Sequence, residues 1–203
     1  MELKDKINPK HTALVVIDIQ KDFASPDGLL AKRGRDLSMV EPMIDGLEKI
    51  ISMATTANVP VFYSQLIFDR TKLNELQKEQ YDLDGKLATC AIDTDGYRFY
   101  RLNPPAENVF IKYDYNIFSN SEFKKTLEKD GIKTLIIAGM DTCWCVETAI
   151  RSAFDLGYKV VVPKDLVACG GRHQDWHDRT LELVKKTFGV VTNFKEIKTI
   201  WQA

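Results

Sequence analysis

Six short runs rich in β-branched and apolar residues recur along the chain, and they are apolar almost throughout rather than at alternate positions. They fall at residues 13–17, 59–63, 109–111, 134–138, 160–162 and 190–191. Such runs suit strands covered on both faces, as in a parallel sheet, because an antiparallel sheet with one wet face would alternate. The segments between them read as helices. Met39, Met43, Leu47, Ile50 and Ala54 repeat at three- and four-residue steps and form one apolar stripe. Ser119-Asn120-Ser121-Glu122 is a capping-box signature that opens a helix through Lys129. Val146, Ile150, Ala153 and Phe154 mark a further helix closed by Gly157; Leu181, Val184 and Phe188 mark another closed by Gly189. Alternation of strand and helix predicts an α/β fold of three layers, α/β/α, around a mostly parallel sheet.

Residues 66–107 break the rhythm, with a short helical stretch near 72–80 and then mostly polar sequence ending after Pro104-Pro105. A connection of this length inside a domain commonly serves as a lid or pocket wall. No internal repeat or low-complexity tract interrupts the 203 residues, which read as one domain. Formal charge is −1, so nothing in the composition draws the chain to nucleic acid or an anionic membrane. The absence of an apolar stretch long enough to span a bilayer, and of a signal-like start, leads to the expectation of a cytoplasmic protein. Four cysteines in a chain of this size make no disulfide framework, so Cys90, Cys143, Cys145 and Cys169 are expected as free thiols.

Ligands of open parallel sheets bind beyond the carboxyl ends of the strands. The first run ends in Asp18, the third in Lys112, and the fourth in Gly139-Met140-Asp141-Thr142-Cys143-Trp144-Cys145, which leads directly into a helix. Taken singly, each has an ordinary explanation as a turn residue, a solvated cation or a small buried side chain. Taken together, they supply one chemistry. A thiolate is favoured at a helix N-terminus and beside a cation. A carboxylate within reach can accept the thiol proton and return it to a leaving group, and free N–H groups at the helix start can hold an oxyanion. Cys143 and Cys145 both lie in this turn; Cys145, followed by Val146-Glu147-Thr148-Ala149, is favoured as nucleophile without spacing deciding the matter.

The residues 13–23, the segment 112–118, the stretch from Gly139 through Ala149, and Gly157 through Asp165 resemble the isochorismatase-like cysteine hydrolase family, which includes nicotinamidases and N-carbamoylsarcosine amidases. The resemblance spans almost the whole chain apart from 66–107. It implies a six-stranded sheet flanked by helices, a catalytic triad of Asp18, Lys112 and Cys145, and a cis peptide at Met140-Asp141 with the Asp141 and Cys145 N–H groups facing an oxyanion. Phe23 matches a position that packs against substrate, and Phe118 and Trp144 are further candidates for the pocket wall. Homodimers or homotetramers are implied as well.

Two departures sharpen the reading. Family members commonly carry Asp where this chain has Cys143. Nicotinamidases of the family hold a metal through His ligands after the second strand, whereas residues 66–107 contain no His, the three being His11, His173 and His177. No cofactor or metal is therefore expected. A cysteine at this position favours acyl transfer on a small amide, carbamoyl or ureido compound over the vinyl-ether hydrolysis of true isochorismatases, which is the alternative. Two rivals remain: a metal site from Cys143, Cys145, His173 and His177, and a non-catalytic scaffold of the same fold. A glycine-free, carboxylate-rich turn after the first strand disfavours a phosphate-binding module. The expected partner is a small-molecule substrate.

Overall fold

The computed structural model describes residues 2–83, 88–170 and 174–202. Its strands are β1 (Thr12–Ile17), β2 (Val61–Leu66), β3 (Val109–Lys112), β4 (Thr134–Met140), β5 (Lys159–Pro163), β6 (Val167–Ala168) and β7 (Gly189–Thr192). Its α-helices are α1 (Leu3–Lys6), α2 (Lys21–Ala24), α3 (Leu29–Lys32), α4 (Val40–Thr56), α5 (Glu75–Leu83), α6 (Ser121–Lys129), α7 (Glu147–Asp155), α8 (Gln174–Leu183) and α9 (Phe194–Trp201). The strands form one sheet in the order β3-β2-β1-β4-β5-β7, and every pairing among them is parallel.

The six expected strands are all present, and the sheet has a seventh. β5 pairs with β4 only over Thr134–Ile136, and the two-residue β6 takes its place beside Gly139 and Met140. Two residues carry no readable periodicity, so this strand exists through tertiary pairing alone.

The uniform apolarity of the central strands has a direct cause. Leu14 and Val16 of β1 face a core built with Met43, Ile44, Leu47 and Ile50 of α4 and Ile197 of α9. Ala13, Val15 and Ile17 face the opposite core, with Phe123 and Leu127 of α6 and Ala149, Ile150 and Ala153 of α7. Both faces of β1 are thus dry, giving three layers, and each large aliphatic side chain buried this way contributes about 1.5–3 kcal/mol.

Helix ends differ in detail from the sequence reading. The cap of α6 is Asn120 rather than Ser119, its side chain accepting from the N–H groups of Glu122 and Phe123 at 3.0 and 3.3 Å. Gly157 turns the chain after α7 with φ +85°, as expected of a left-handed stop. Gly189 also closes its helical segment, its N–H donating to Val184 O, but not in a left-handed conformation. It is extended at the start of β7, and a Cβ there would lie 2.3 Å from the Val160 carbonyl of β5, so close strand approach demands the glycine.

The described residues of 66–107 fold back over the turn after β1. The N–H groups of Lys21 and Asp22 donate to the Arg98 and Gly96 carbonyls, and Tyr100 N–H donates to Ile19 O. The Asp22 carboxylate accepts from Cys90 N–H at 2.7 Å. Arg101 meanwhile grips Glu41, Asp45 and Glu48 of α4 at 2.6–2.8 Å. These contacts hold the segment as a wall over the carboxyl ends of β1 and β2.

Candidate active site

Asp18, Lys112 and Cys145 meet at the carboxyl edge of the sheet. Asp18 follows β1 with φ +50°, a left-handed conformation that Asp tolerates better than most residues. Its Oδ1 accepts from Ser64 Oγ at 2.6 Å, and its N–H donates to the same hydroxyl at 3.2 Å. Ser64 stands beside Ile17 in the β1–β2 register. Sequence reasoning passed over it, since a serine at a strand end carries no signal of its own.

Lys112 ends β3, with β2 lying between it and β1, and only a long side chain bridges that gap. Its Nζ lies 2.8 Å from Asp18 Oδ2 and 3.3 Å from Cys145 Sγ, and it donates to the Asp114 and Tyr115 carbonyls at 3.0 and 3.3 Å. The side chain is fully buried. Burial alone would push its pKa down, but the Asp18 carboxylate and the Cys145 sulfur outweigh it and hold the ammonium above the usual lysine range. The cation persists at every working pH.

Cys145 does not occupy the first turn of an ordinary α-helix. Thr142–Val146 forms a wider π-helical turn that runs into α7, and the N–H groups of Trp144 and Val146 both donate to the Asp141 carbonyl. Such turns cluster at functional sites. The peptide Met140-Asp141 is cis, as the resemblance implies. Just before it, Gly139 has φ +112°, and a Cβ there would sit 2.3 Å from the Ile17 carbonyl, so β4 reaches the turn by passing closely against β1.

The electrostatics differ from a helix-stabilised thiolate. Burial and then the Asp18 charge push the Cys145 thiol well above its ordinary range, and Lys112 offsets them only in part. Burial and the Asp18 charge thus favour the protonated sulfur, and the hydrogen bond seen at it is the one it accepts from Lys112 Nζ at 3.3 Å. Helix-terminus partial charge is too weak to overcome removal from water beside a carboxylate.

A cavity of about 270 Å³ opens over these groups. Phe23 and Trp144 line it, as expected, and Tyr81 and Thr89 come from the 66–107 wall. Tyr115 also lines it, stacked on Trp144 with ring centroids 5.9 Å apart. Phe118 is elsewhere. It packs edge-on against Phe123 at 5.1 Å, beneath α6, where an apolar side chain gains more from a dry neighbour than from the cavity rim. Two cations that the sequence reading did not single out, Arg33 and Arg35, complete the wall. Arg35 pairs with Asp141 at 2.6 Å, whereas exposed Arg33 has no ion-pair partner among the described residues. A larger depression of about 590 Å³ lies between α4 and α9, and its lining includes no residue of the nucleophile turn and no thiol or histidine.

The described residues of the rival metal reading are engaged with other partners. His177 Nδ1 pairs with Thr142 Oγ1 at 2.9 Å, Cys143 Sγ faces Cys169 Sγ, and His173 lies outside the described residues. Among the described residues, no cluster of three or more His, Cys, Asp or Glu side chains is placed to hold a metal ion.

A buried thiol, carboxylate and ammonium at the carboxyl edge of a parallel α/β/α sheet define a hydrolase of the cysteine type. Comparison with known proteins agrees: residues 12–196 match the isochorismatase domain, and the chain belongs to the isochorismatase family. It is 32% identical over 176 residues to the ureidoacrylate amidohydrolase RutB of Pseudomonas syringae pv. syringae, covering 79% of this chain and 71% of that protein. The RutB of Acinetobacter baylyi is 26% identical over 216 aligned positions, covering 97% and 86%. Among solved structures, a cysteine hydrolase from Pseudomonas syringae pv. phaseolicola superposes with a TM-score of 0.83 at 24% identity, covering 97% of this chain and 95% of that one. The nicotinamidase PncA of Bacillus subtilis superposes at 0.73 with 21% identity, covering 90% and 99%. These structural neighbours share the fold.

Proposed function

We propose that the protein hydrolyses the C–N bond of a small amide, carbamoyl or ureido compound through a thioester on Cys145, with Asp18 as general base and acid and Lys112 as the fixed counter-charge. The observation that carries this reading is the Lys112 ammonium lying within 3.3 Å of both the Asp18 carboxylate and the Cys145 sulfur, all three buried. The Cys145 thiol passes its proton to Asp18 as the sulfur attacks the carbonyl carbon. The Asp141 and Cys145 N–H groups receive the developing oxyanion. Asp18 then gives its proton to the departing amine or ammonia. Water, deprotonated by Asp18, cleaves the thioester and restores the thiol. Because burial and the Asp18 charge raise the Cys145 thiol, proton transfer to Asp18 accompanies attack on a carbonyl seated against the sulfur.

The substrate is anionic on this reading. Asp18 is balanced by Lys112 and Asp141 by Arg35, which leaves Arg33, among the described residues, as the uncompensated charge on the wall. A ureido acid fits, its carboxylate turned to Arg33 and its carbamoyl group to Cys145, and the similarity to ureidoacrylate amidohydrolases supports that class. A cytoplasmic setting, where thiols stay reduced, suits the chemistry; no helix among the described residues is long and apolar enough to cross a membrane. A homodimer or homotetramer belongs to the same proposal.

The test is a screen of small amides, carbamoyl compounds and ureido acids for ammonia release, with Cys145→Ala as control. Turnover of a ureido acid that Cys145→Ala abolishes is the expected result. Turnover that survives in Cys145→Ala would remove the thioester from the mechanism, and cleavage of a vinyl ether in preference to every C–N substrate would point to the other chemistry of the family.

A further inference from the structure

Beside the nucleophile turn lies a pair of sulfurs that the proposed reaction does not use. Because β6 replaces β5 next to the last residues of β4, the chain leaving β6 runs alongside the turn that springs from β4. Cys169, directly after β6, thereby meets Cys143, the second residue of that turn, with Sγ atoms 2.8 Å apart. Neither is in a disulfide. Cys169 is buried. Cys143 is half-buried and opens into a separate cavity of about 260 Å³ bordered by Glu147, Arg151, Trp176 and Arg179. The two sulfurs are in direct contact, and either can donate its proton to the other. A contacting pair of thiols, one of them reachable from a cavity, is thus set beside the nucleophile turn.

We propose that Cys143 and Cys169 form an oxidisable dithiol, which a hydroperoxide closes to a disulfide that pins the nucleophile turn to the end of β6 and slows reaction at Cys145. One sulfur attacks a peroxide oxygen and the O–O bond breaks, releasing an alcohol (or water) and leaving a sulfenic acid. The second sulfur displaces hydroxide from it. The dithiol loses two electrons, the peroxide gains them, and the two thiol protons leave in the two products. The new bond draws the sulfurs closer than they stand, and Cys143 shares its turn with the Asp141 and Cys145 N–H groups. Displacement of a reacting group by about an ångström costs roughly a hundredfold in rate, so a small movement suffices.

The experiment uses the full-length reduced protein and hydrogen peroxide at one equivalent, read by peptide mapping and by the rate at which iodoacetamide alkylates Cys145. A Cys143–Cys169 cross-link is expected, with alkylation of Cys145 slowed at least tenfold (~1.4 kcal/mol in barrier) and restored by dithiothreitol. Cys169→Ser is expected to alkylate at the parent rate before oxidation and to form no cross-link. The proposal is overturned by first oxidation at Cys90 or Cys145, by a cross-link involving Cys145, or by a Cys143–Cys169 bond that leaves alkylation unchanged. Neither readout needs a substrate, so this result stands apart from the fate of the hydrolase reading.

Discussion

Lys112 Nζ stands 2.8 Å from Asp18 Oδ2, the two charges facing each other in a site from which water is almost wholly excluded. Neither residue is tolerable there without the other. Removing one partner of a buried pair strands the remaining charge and costs about 3–5 kcal/mol. Lys112→Met is therefore expected to lose stability of that order, together with turnover, in urea unfolding. Adding Asp18→Asn to it should recover much of the stability and none of the activity. If the double variant is no more stable than Lys112→Met, the pair is not what holds this edge of the sheet.

The upward shift of the Cys145 thiol predicts an unusual reactivity profile. An ordinary thiol titrates near pH 8.5. Burial and the Asp18 charge push this one up, so its alkylation by iodoacetamide should still be climbing at a pH where Cys in a peptide has levelled off. Asp18→Asn removes the repelling charge, which lowers the thiol pKa and shifts the alkylation curve to lower pH while turnover collapses. Opposite movement of reactivity and catalysis is the signature; a parallel loss of both would indicate that Asp18 only supports the fold.

Arg33 should set the preference for an anionic substrate. With Arg33→Gln, KM for a ureido acid is expected to rise roughly tenfold with kcat little changed, because the lost contact is made equally in ground and transition states. The corresponding neutral amide should respond little. Equal effects on the acid and the amide would show that Arg33 shapes the cavity rather than reading charge.

His177 links stability to pH. Burial lowers its pKa below the ordinary value of 6.5, so the folded protein holds the ring neutral against Thr142 Oγ1 while the unfolded chain binds a proton more readily. The stability this ring contributes is complete above the unfolded pKa and is lost as pH falls through the interval below it. The melting temperature should accordingly drop from about pH 7.5 to pH 5.5, and His177→Gln should flatten that part of the curve. A slope that His177→Gln leaves unchanged would assign the dependence to other groups.

Much of the architecture was legible before any coordinates. The apolar runs located six strands because a strand covered on both faces must be apolar at every position, and that requirement is local. Asp18, Lys112 and Cys145 could be brought to one edge because strand direction in a parallel sheet determines which ends converge. The misreadings share another origin. Phe118 and Ser119 are read from residue type in a local window, and each takes its role from the way the chain turns into α6, against Phe123 and before the Asn120 cap.

By itself, then, the sequence determined the layered parallel sheet and the convergence of Asp18, Lys112 and Cys145 at one edge, since these follow from periodicity and strand direction, while the cis bond at Met140-Asp141 came through the family resemblance. Only tertiary structure decided the state of the sulfur, the charge on the cavity wall and the meeting of Cys143 with Cys169. A thiol's proton depends on how much water and which charges surround it, and Arg33 and Arg35 reach the cavity through a loop that carries no strand-end signal. The two cysteines, 26 positions apart, touch because β6 slips in where β5 turns away from β4.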